Sequence, residues 1–208
     1  MKKNFWDRNA GLYDRFMRKD RAAYEKMYEL IRPVVKGRTV LELATGTGLI
    51  AKNIAGAAKH IEATDSSEEM IREAKRNSRS AKLHFSVLDM FCLPYFDKSF
   101  DVIIVSNALH IVPQPEKALA EIHRVLKDNG LLIAPTFTHA ENSFSGKVKA
   151  FCMKSAGFPL RSKWTSNEYL NFLRENGWRV RKNTVLKASF PLTYAECMKS
   201  EVQQDVIL

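Results

Sequence analysis

Apolar and polar positions change their period several times along this chain. Residues 4–31 are polar and helical in character; apolar residues recur at helical spacing over residues 24–31, and we expect that helix to end at Pro33. From Thr39 onward, short apolar runs that stop at glycine or aspartate alternate with segments of helix-forming residues. The runs predict five strands, at residues 39–44, 61–64, 83–88, 100–106 and 131–134.

Five strands that alternate with helices predict a parallel, doubly wound sheet with right-handed crossovers. Two further strands, at 178–186 and 193–198, are joined by only a few residues around Pro191, which permits only an antiparallel pair. The predicted fold class is therefore α/β: a Rossmann-like, doubly wound, seven-stranded sheet, mostly parallel with an antiparallel last strand and with helices on both faces. We expect one domain over 1–208, with an N-terminal helical lid at 1–36 and an insert at 143–164.

Several local signals set the expected ends of these elements. Ser66-Ser67-Glu68-Glu69 predicts a capping box with Ser66 as N-cap, and Thr165 with Glu168 predicts a second one. Pro115 suits the first position of a helix that we expect to continue to Lys127. Asn129-Gly130 is then expected to turn the chain into the fifth strand.

Composition narrows the class of protein. A chain of 208 residues with 45% apolar residues suits one globular domain, whose hydrophobic core is large enough to be stable without disulfides or a bound metal. The three cysteines, Cys92, Cys152 and Cys197, are too few and too scattered for a disulfide framework or a metal site, so we expect reduced thiols and a cytoplasmic location. The N-terminus lacks the apolar stretch of a secretory signal, and we expect no membrane span.

The net charge of +10 is concentrated in one part of the chain. Residues 143–187 contain ten lysines and arginines and only two glutamates. This segment is either a solvated basic surface or a patch that attracts an acidic substrate, nucleic acid or anionic lipid. Nucleic acid is not favoured, because no nucleic-acid-binding motif accompanies the charge.

Candidate ligand-binding residues follow the ends of the strands, where open α/β sheets bind their ligands. The loop after the first strand is small and glycine-rich, and the next helix begins there, so it favours a carboxylate. Asp65, after the second strand, is placed to accept hydrogen bonds from both hydroxyls of a ribose, and Asp89, after the third, to meet the amine of an adenine. Residues 106–110, after the fourth, face the reacting end. Together these groups describe S-adenosylmethionine (SAM).

A dinucleotide is the alternative ligand. Gly46 and Gly48, followed by Ala51, also fit a dinucleotide fingerprint, and Asp65 follows at a suitable distance. That interpretation leaves Asp89, the closing hairpin and the lack of a second substrate domain unexplained.

Four motifs in order carry a family resemblance over about residues 5–199. They are Val40-Leu41-Glu42-Leu43-Ala44-Thr45-Gly46-Thr47-Gly48, then residues 63–70, 89–101 and 121–130. The chain resembles the class I SAM-dependent methyltransferase superfamily, and within it the small-molecule branch that includes ubiquinone and menaquinone biosynthesis methyltransferases. The resemblance implies a SAM-binding set: Tyr13, Glu42, Ala44, Thr45, Gly46, Gly48, Asp65, Ser66, Met70, Asp89, Met90 and Asn107.

Two parts of this set have an ordinary structural alternative. By the resemblance, Met70 and Met90 sandwich the adenine, whereas methionines at such spacing also serve as core packing. Tyr13 resembles the tyrosine of a lid that reaches the methionine end of the cofactor, and a helix-packing tyrosine is the alternative.

The implied reaction is an in-line displacement that transfers the methyl group to a small-molecule acceptor without a metal. His110 is the candidate catalytic base or substrate contact and His139 a second candidate, with a structural histidine as the alternative. The aromatic residues of the insert either line a pocket for an apolar or aromatic acceptor or pack the insert onto the sheet, and the surrounding basic residues suit an anionic acceptor. Other functions that stay open are RNA or protein methylation, SAM binding without turnover, and nicotinamide-dependent oxidoreduction.

Overall fold

A single eight-stranded sheet runs through the computed structural model, which describes residues 5–76, 78–139 and 161–200. The strands are β1 Thr39–Leu43, β2 His60–Asp65, β3 Leu83–Val87, β4 Phe100–Val105, β5 Leu126–Ile133, β6 Thr136–Phe137, β7 Trp178–Leu186 and β8 Leu192–Lys199. Their order is β3-β2-β1-β4-β5-β8-β6, and β7 pairs with β8. The first five strands are parallel, and β8 runs antiparallel to β5, β6 and β7. The mostly parallel sheet and its antiparallel closing hairpin are confirmed.

Helices cover both faces of the sheet, as predicted. They are α1 Phe5–Met17, α2 Arg21–Val35, α3 Leu49–Ile54, α4 Glu68–Lys75, α5 Pro115–Val125 and α6 Ser166–Glu175, with a 3₁₀ turn at Arg18–Asp20 between α1 and α2. Successive residues of β1 point to opposite faces, so Val40 joins the apolar cluster under α2 and α3 while Leu41 joins the cluster under α5 and α6. The N-terminal helices lie on the first of these faces, where α1 packs against α4 and α2 against α3.

The sheet has one strand more than the seven expected. β5 and β6 both pair with β8, but Pro135 lies between them and has no N–H to donate to the ladder, so the edge is divided in two. β5 also begins at Leu126 rather than after Asn129-Gly130, because Leu126 pairs with Phe100 and a shift in register accommodates the residues between. As a result, α5 ends at Val125 and not at Lys127.

Two other expected element ends were wrong. Pro33 lies inside the last turn of α2. It has no N–H to donate to the Glu29 carbonyl one turn earlier, and because Glu29 is exposed, water can reach that carbonyl instead. The N-cap of α4 is Ser67 instead of Ser66: its hydroxyl accepts from the Met70 amide at 3.2 Å, while Ser66 is an exposed turn residue.

Other local predictions are confirmed. Thr165 and Glu168 form the reciprocal capping box of α6, and Pro115 begins α5. The 143–164 insert lies outside the described residues except for its last four residues. None of the described helices combines the length and the apolar character needed to cross a lipid bilayer.

Candidate functional site

The loop between β1 and α3, residues 44–48, has the left-handed backbone that its sequence indicates. Ala44, Gly46 and Gly48 have φ angles of 51°, 58° and 77°. At Gly48 an added Cβ would lie 2.8 Å from the Phe85 ring, so only glycine fits there. The loop is further tied to β2 by the Thr45 amide, which donates to the Thr64 carbonyl at 2.9 Å. These contacts give a rigid, side-chain-poor surface at the carboxyl end of β1.

Asp65 ends β2 directly beside this loop. Its Oδ2 accepts from the Gly46 amide and its Oδ1 from the Ser67 amide, both at 2.9 Å. Each carboxylate oxygen has a second lone pair, so a pair of ligand hydroxyls can still bind. Burial raises the pKa of Asp65, and the two backbone amides oppose that rise. Asp65 therefore keeps hydrogen-bond acceptor capacity at the edge of the sheet, and its contact with a ribose stays a prediction.

Glu42 lies beneath the loop, in β1, and only 2% of its surface is exposed. Among the described residues, its Oε2 has no hydrogen-bond partner, and neither does the buried Oγ1 of Thr45. Burial raises the pKa of Glu42 to about 8, and the nearby Thr45 hydroxyl and Ala51 amide oppose that rise without giving Oε2 or Thr45 Oγ1 a hydrogen bond of good geometry. Because buried polar atoms are nearly always paired, these two orphaned oxygens indicate a site for a ligand group that donates hydrogen bonds. The amino-acid end of SAM carries such a donor, its ammonium, so the residues fit this cofactor.

Tyr13 of α1 lies over the same loop. A Cβ added at Gly46 would be 3.6 Å from Cε1 of the Tyr13 ring. Burial, followed by the charges of Asp65, Asp14 and Glu42, raises the pKa of Tyr13 well above its usual value. The tyrosine is therefore placed among the carboxylates of the site, which agrees with a lid. It also makes an edge contact with Trp6 of its own helix, at 6.4 Å between ring centroids.

Two aspartates of α1 attach the helix above the site. Asp14 accepts from the Thr47 hydroxyl of the loop, and Asp7 accepts from the Ser67 hydroxyl at the start of α4, both at 2.5 Å. The two residues are seven positions apart, so they lie on one face of the helix. The sequence analysis did not predict either of these contacts.

The predicted adenine side is less well defined. The Leu88 amide donates to the Asp65 carbonyl at 3.0 Å, which places the residue before Asp89 beside the end of β2. Asp89 is exposed and its Oδ1 accepts from the Phe91 amide at 2.9 Å. Met70 is fully buried, and Met90 packs half-buried against the cluster under α5 and α6. The methionine sandwich stays a prediction.

Asn107, just after β4, uses its side chain in hydrogen bonds within the protein. Its Nδ2 donates to the Tyr24 hydroxyl at 2.9 Å and to Ser106 Oγ at 3.4 Å, and its Oδ1 accepts from the Phe137 amide at 2.9 Å. Its φ of 52° and the bond from its amide to the Pro135 carbonyl complete the arrangement. Both side-chain donors are therefore in use, and its predicted contact with the cofactor stays untested.

His110, the candidate residue at the predicted reacting end, is buried. Its Nδ1 lies 2.8 Å from Thr136 Oγ1 in β6. Burial, and next the charge of His139, lower the pKa of His110 to about 4, so the imidazole is neutral near pH 7. Sequence analysis missed Thr136, because the pairing of β6 with β8 that places it could not be anticipated.

The described residues just before and just after the 140–160 segment lie close together, beside His110 and His139. The His139 amide donates to the Trp164 carbonyl at 2.8 Å, and the amides of Arg161 and Ser162 donate to the His110 carbonyl at 3.1 and 3.0 Å. Trp164 itself stacks on Phe172 of α6 with ring centroids 4.6 Å apart, so this aromatic packs against the domain. The other aromatic residues of the insert, Phe144, Phe151 and Phe158, lie outside the described residues.

Comparison with known proteins identifies the family of this chain. Residues 41–134 match a methyltransferase domain model. A demethylmenaquinone methyltransferase from Thermotoga maritima is 31% identical over 204 residues, which cover 94% of this chain and 85% of the relative. Another, from Renibacterium salmoninarum, is 39% identical over 105 residues, or 50% of this chain and less than half (44%) of the relative.

Solved structures share the same architecture. A SAM-dependent methyltransferase from Thermotoga maritima superposes with a TM-score of 0.74 at 21% identity, over 94% of this chain and 98% of that one. The fold, the orphaned oxygens of Glu42 and Thr45, and the coverage of the first Thermotoga relative lead to one assignment. This chain belongs to the class I SAM-dependent methyltransferases, and within them it resembles the enzymes of ubiquinone and menaquinone biosynthesis.

Proposed function

We propose that the chain transfers the methyl group of SAM to an aromatic small molecule of the quinone-precursor class. The observation that carries the proposal is the pair of buried, unpartnered oxygens on Glu42 and Thr45, next to the carboxylate of Asp65. The acceptor class is supported by the curated relatives, which are named as methyltransferases of demethylmenaquinone. The free thiols of Cys92 and Cys197 support a cytoplasmic location.

Each end of the cofactor has its own group of residues. Glu42 and Thr45 would hold the amino-acid end, Asp65 the ribose, and Asp89 with Met70 and Met90 the adenine. Gly46 and Gly48 keep the loop free of side chains, and Tyr13 covers it and excludes water. When bound, SAM supplies an activated methyl group on a positively charged sulfur, so the remaining task of the protein is alignment, which can lower a barrier by as much as ~7–11 kcal/mol.

His110 is best suited to orient the acceptor. A neutral imidazole with a pKa of about 4 is a weak base at neutral pH, but it can accept or donate one hydrogen bond. Its bond with Thr136 fixes the ring, which leaves Nε2 as the atom that would meet an acceptor oxygen. The residues next to the 140–160 segment adjoin His110 and His139, which supports an acceptor pocket built partly by that insert.

A labelled-methyl assay tests the proposal. The chain is incubated with methyl-labelled SAM and, in parallel, with a reduced demethylated naphthoquinone, total RNA and a protein extract, with Asp65→Ala as the matched variant. We expect label in the quinol product from the wild type, and at least a tenfold loss in the variant, since one ionic hydrogen-bonding partner contributes about 1.5–3 kcal/mol. Label in RNA or protein would support those alternatives, and SAM binding without any labelled product would support a binding module.

A further inference from the structure

The N-terminal segment, residues 5–20, separates its charges between two sides. All three of its acidic residues accept hydrogen bonds from the rest of the domain, although Asp14 stays exposed. Asp7 and Asp14 bind Ser67 and Thr47, as described above, and Asp20 is 5% exposed and accepts from the Ser189 amide at 2.6 Å. The side of the segment that faces the domain is therefore the acidic one.

The opposite side of α1 is basic and apolar. Arg8, Leu12, Arg15 and Phe16, with Lys19 in the following turn, recur at the spacing of a single helical face, and all five are exposed. We call these five residues the basic–apolar face. At its centre Leu12 is 50% exposed and Phe16 is 55% exposed, and both are among the most exposed large apolar side chains of the described chain. The basic residues surround them, and no acidic residue of the segment is on this side.

We propose that the basic–apolar face docks the protein on the surface of an anionic lipid bilayer, with Leu12 and Phe16 inserted at the headgroup boundary. A helix with cationic side chains around a few exposed apolar ones is the pattern of an interfacial helix. Each lysine or arginine near an anionic surface adds to the attraction. A stable protein partner would need about 800 Å² of buried surface on each side, far more than two half-exposed side chains offer.

The position of this helix gives the docking a consequence for the site. The same helix carries Tyr13 over Gly46, so the face that contacts lipid is the outer surface of the lid. A docked lid brings the cofactor site to the layer in which an apolar quinone precursor dissolves. The docking itself rests only on α1 and does not require the acceptor proposed above.

Vesicle sedimentation of the full chain tests the proposal. One set of vesicles contains phosphatidylcholine alone, and the other contains phosphatidylcholine mixed with phosphatidylglycerol. We expect binding only to the mixed vesicles. Leu12→Ser with Phe16→Ser should weaken it about tenfold or more, because two half-exposed side chains lose their apolar transfer. The control is Phe96→Ser, which removes the most exposed phenylalanine of the described residues (90% exposed), outside α1, and should leave binding unchanged.

Charge is tested with two matched sets of arginine and lysine replacements. Arg8→Gln, Arg15→Gln and Lys19→Gln together should weaken binding roughly a hundredfold, at about fivefold for each charge removed. Lys36→Gln, Lys59→Gln and Lys117→Gln remove the same charge from exposed positions outside α1 and should have little effect. Equal loss from both sets, unchanged binding of the α1 variants, or no binding of the wild type to either vesicle overturns the proposal.

Calorimetric titration with SAM shows whether the variants keep a folded cofactor site, and methyl transfer to a water-soluble acceptor then separates a docking failure from a failure of the proposed function.

Discussion

Replacing Glu42 with glutamine should make the protein more stable at alkaline pH while it contains no cofactor. Burial raises the pKa of this carboxyl from 4.5 to about 8. In the folded state Glu42 therefore keeps its proton up to about pH 8, whereas in the unfolded state it ionises near pH 4.5. The stability that this group contributes is fully present below pH 4.5 and is lost as the pH rises to 8.

The size of this effect follows from the shift. One unit of pKa corresponds to about 1.36 kcal/mol, so the wild type should lose roughly 3–4 kcal/mol relative to Glu42→Gln between pH 5 and pH 8. Urea denaturation at several pH values between those limits measures the free energy of unfolding of both proteins. The pH dependence of the difference is the informative quantity, because other titrating groups contribute equally to both proteins.

A matched replacement controls for the loss of one carboxylate. Glu29→Gln removes an exposed glutamate on α2, and its unfolding free energy should follow the wild type across the same pH range. If the difference between wild type and Glu42→Gln stays constant from pH 5 to pH 8, the argument from burial is refuted. The same variant should bind SAM more weakly, since a neutral amide replaces the carboxylate proposed to face the ammonium.

Two further replacements test the site. Gly48→Ala forces a left-handed residue to carry a Cβ against the Phe85 ring, and should lower the free energy of unfolding by about 2–5 kcal/mol, whereas Gly56→Ala, where nothing lies within 4 Å, should cost little. The pKa of His110 is lowered from 6.5 to about 4, so its contribution to stability is fully present above pH 6.5 and falls by roughly 3 kcal/mol as the pH drops to 4. Thermal unfolding of His110→Gln should lack that loss, and exposed His84→Gln should retain it; equal acid sensitivity of all three proteins would contradict the assigned burial.

The features that the sequence predicts well are those specified by neighbouring residues. The strand, left-handed loop and helix around Gly48 follow from a short apolar run, two glycines and helix formers in succession. Asp65 could be placed in the same way, since it follows a strand whose parallel neighbours bring their carboxyl ends to one edge. The ligand-binding edge of the sheet was therefore accessible without coordinates.

The features that sequence analysis missed depend on residues far away along the chain. The start of β5 is set by the pairing of Leu126 with Phe100, which overrides the turn preference of Asn129-Gly130. His110 was identified as a candidate, but its partner Thr136 and its low pKa depend on the burial that β6 and β8 create. Pairing and burial of this kind have no local signature, so only the structure shows them.

The three aspartates of the N-terminal segment also impose an order of assembly. Their partners lie 33, 60 and 169 residues further along the chain, at Thr47, Ser67 and Ser189. The N-terminal segment can therefore be fully attached only after the hairpin between β7 and β8 has been made. A nascent chain of this protein presents the lipid-attracting residues of α1 before it has a finished cofactor site.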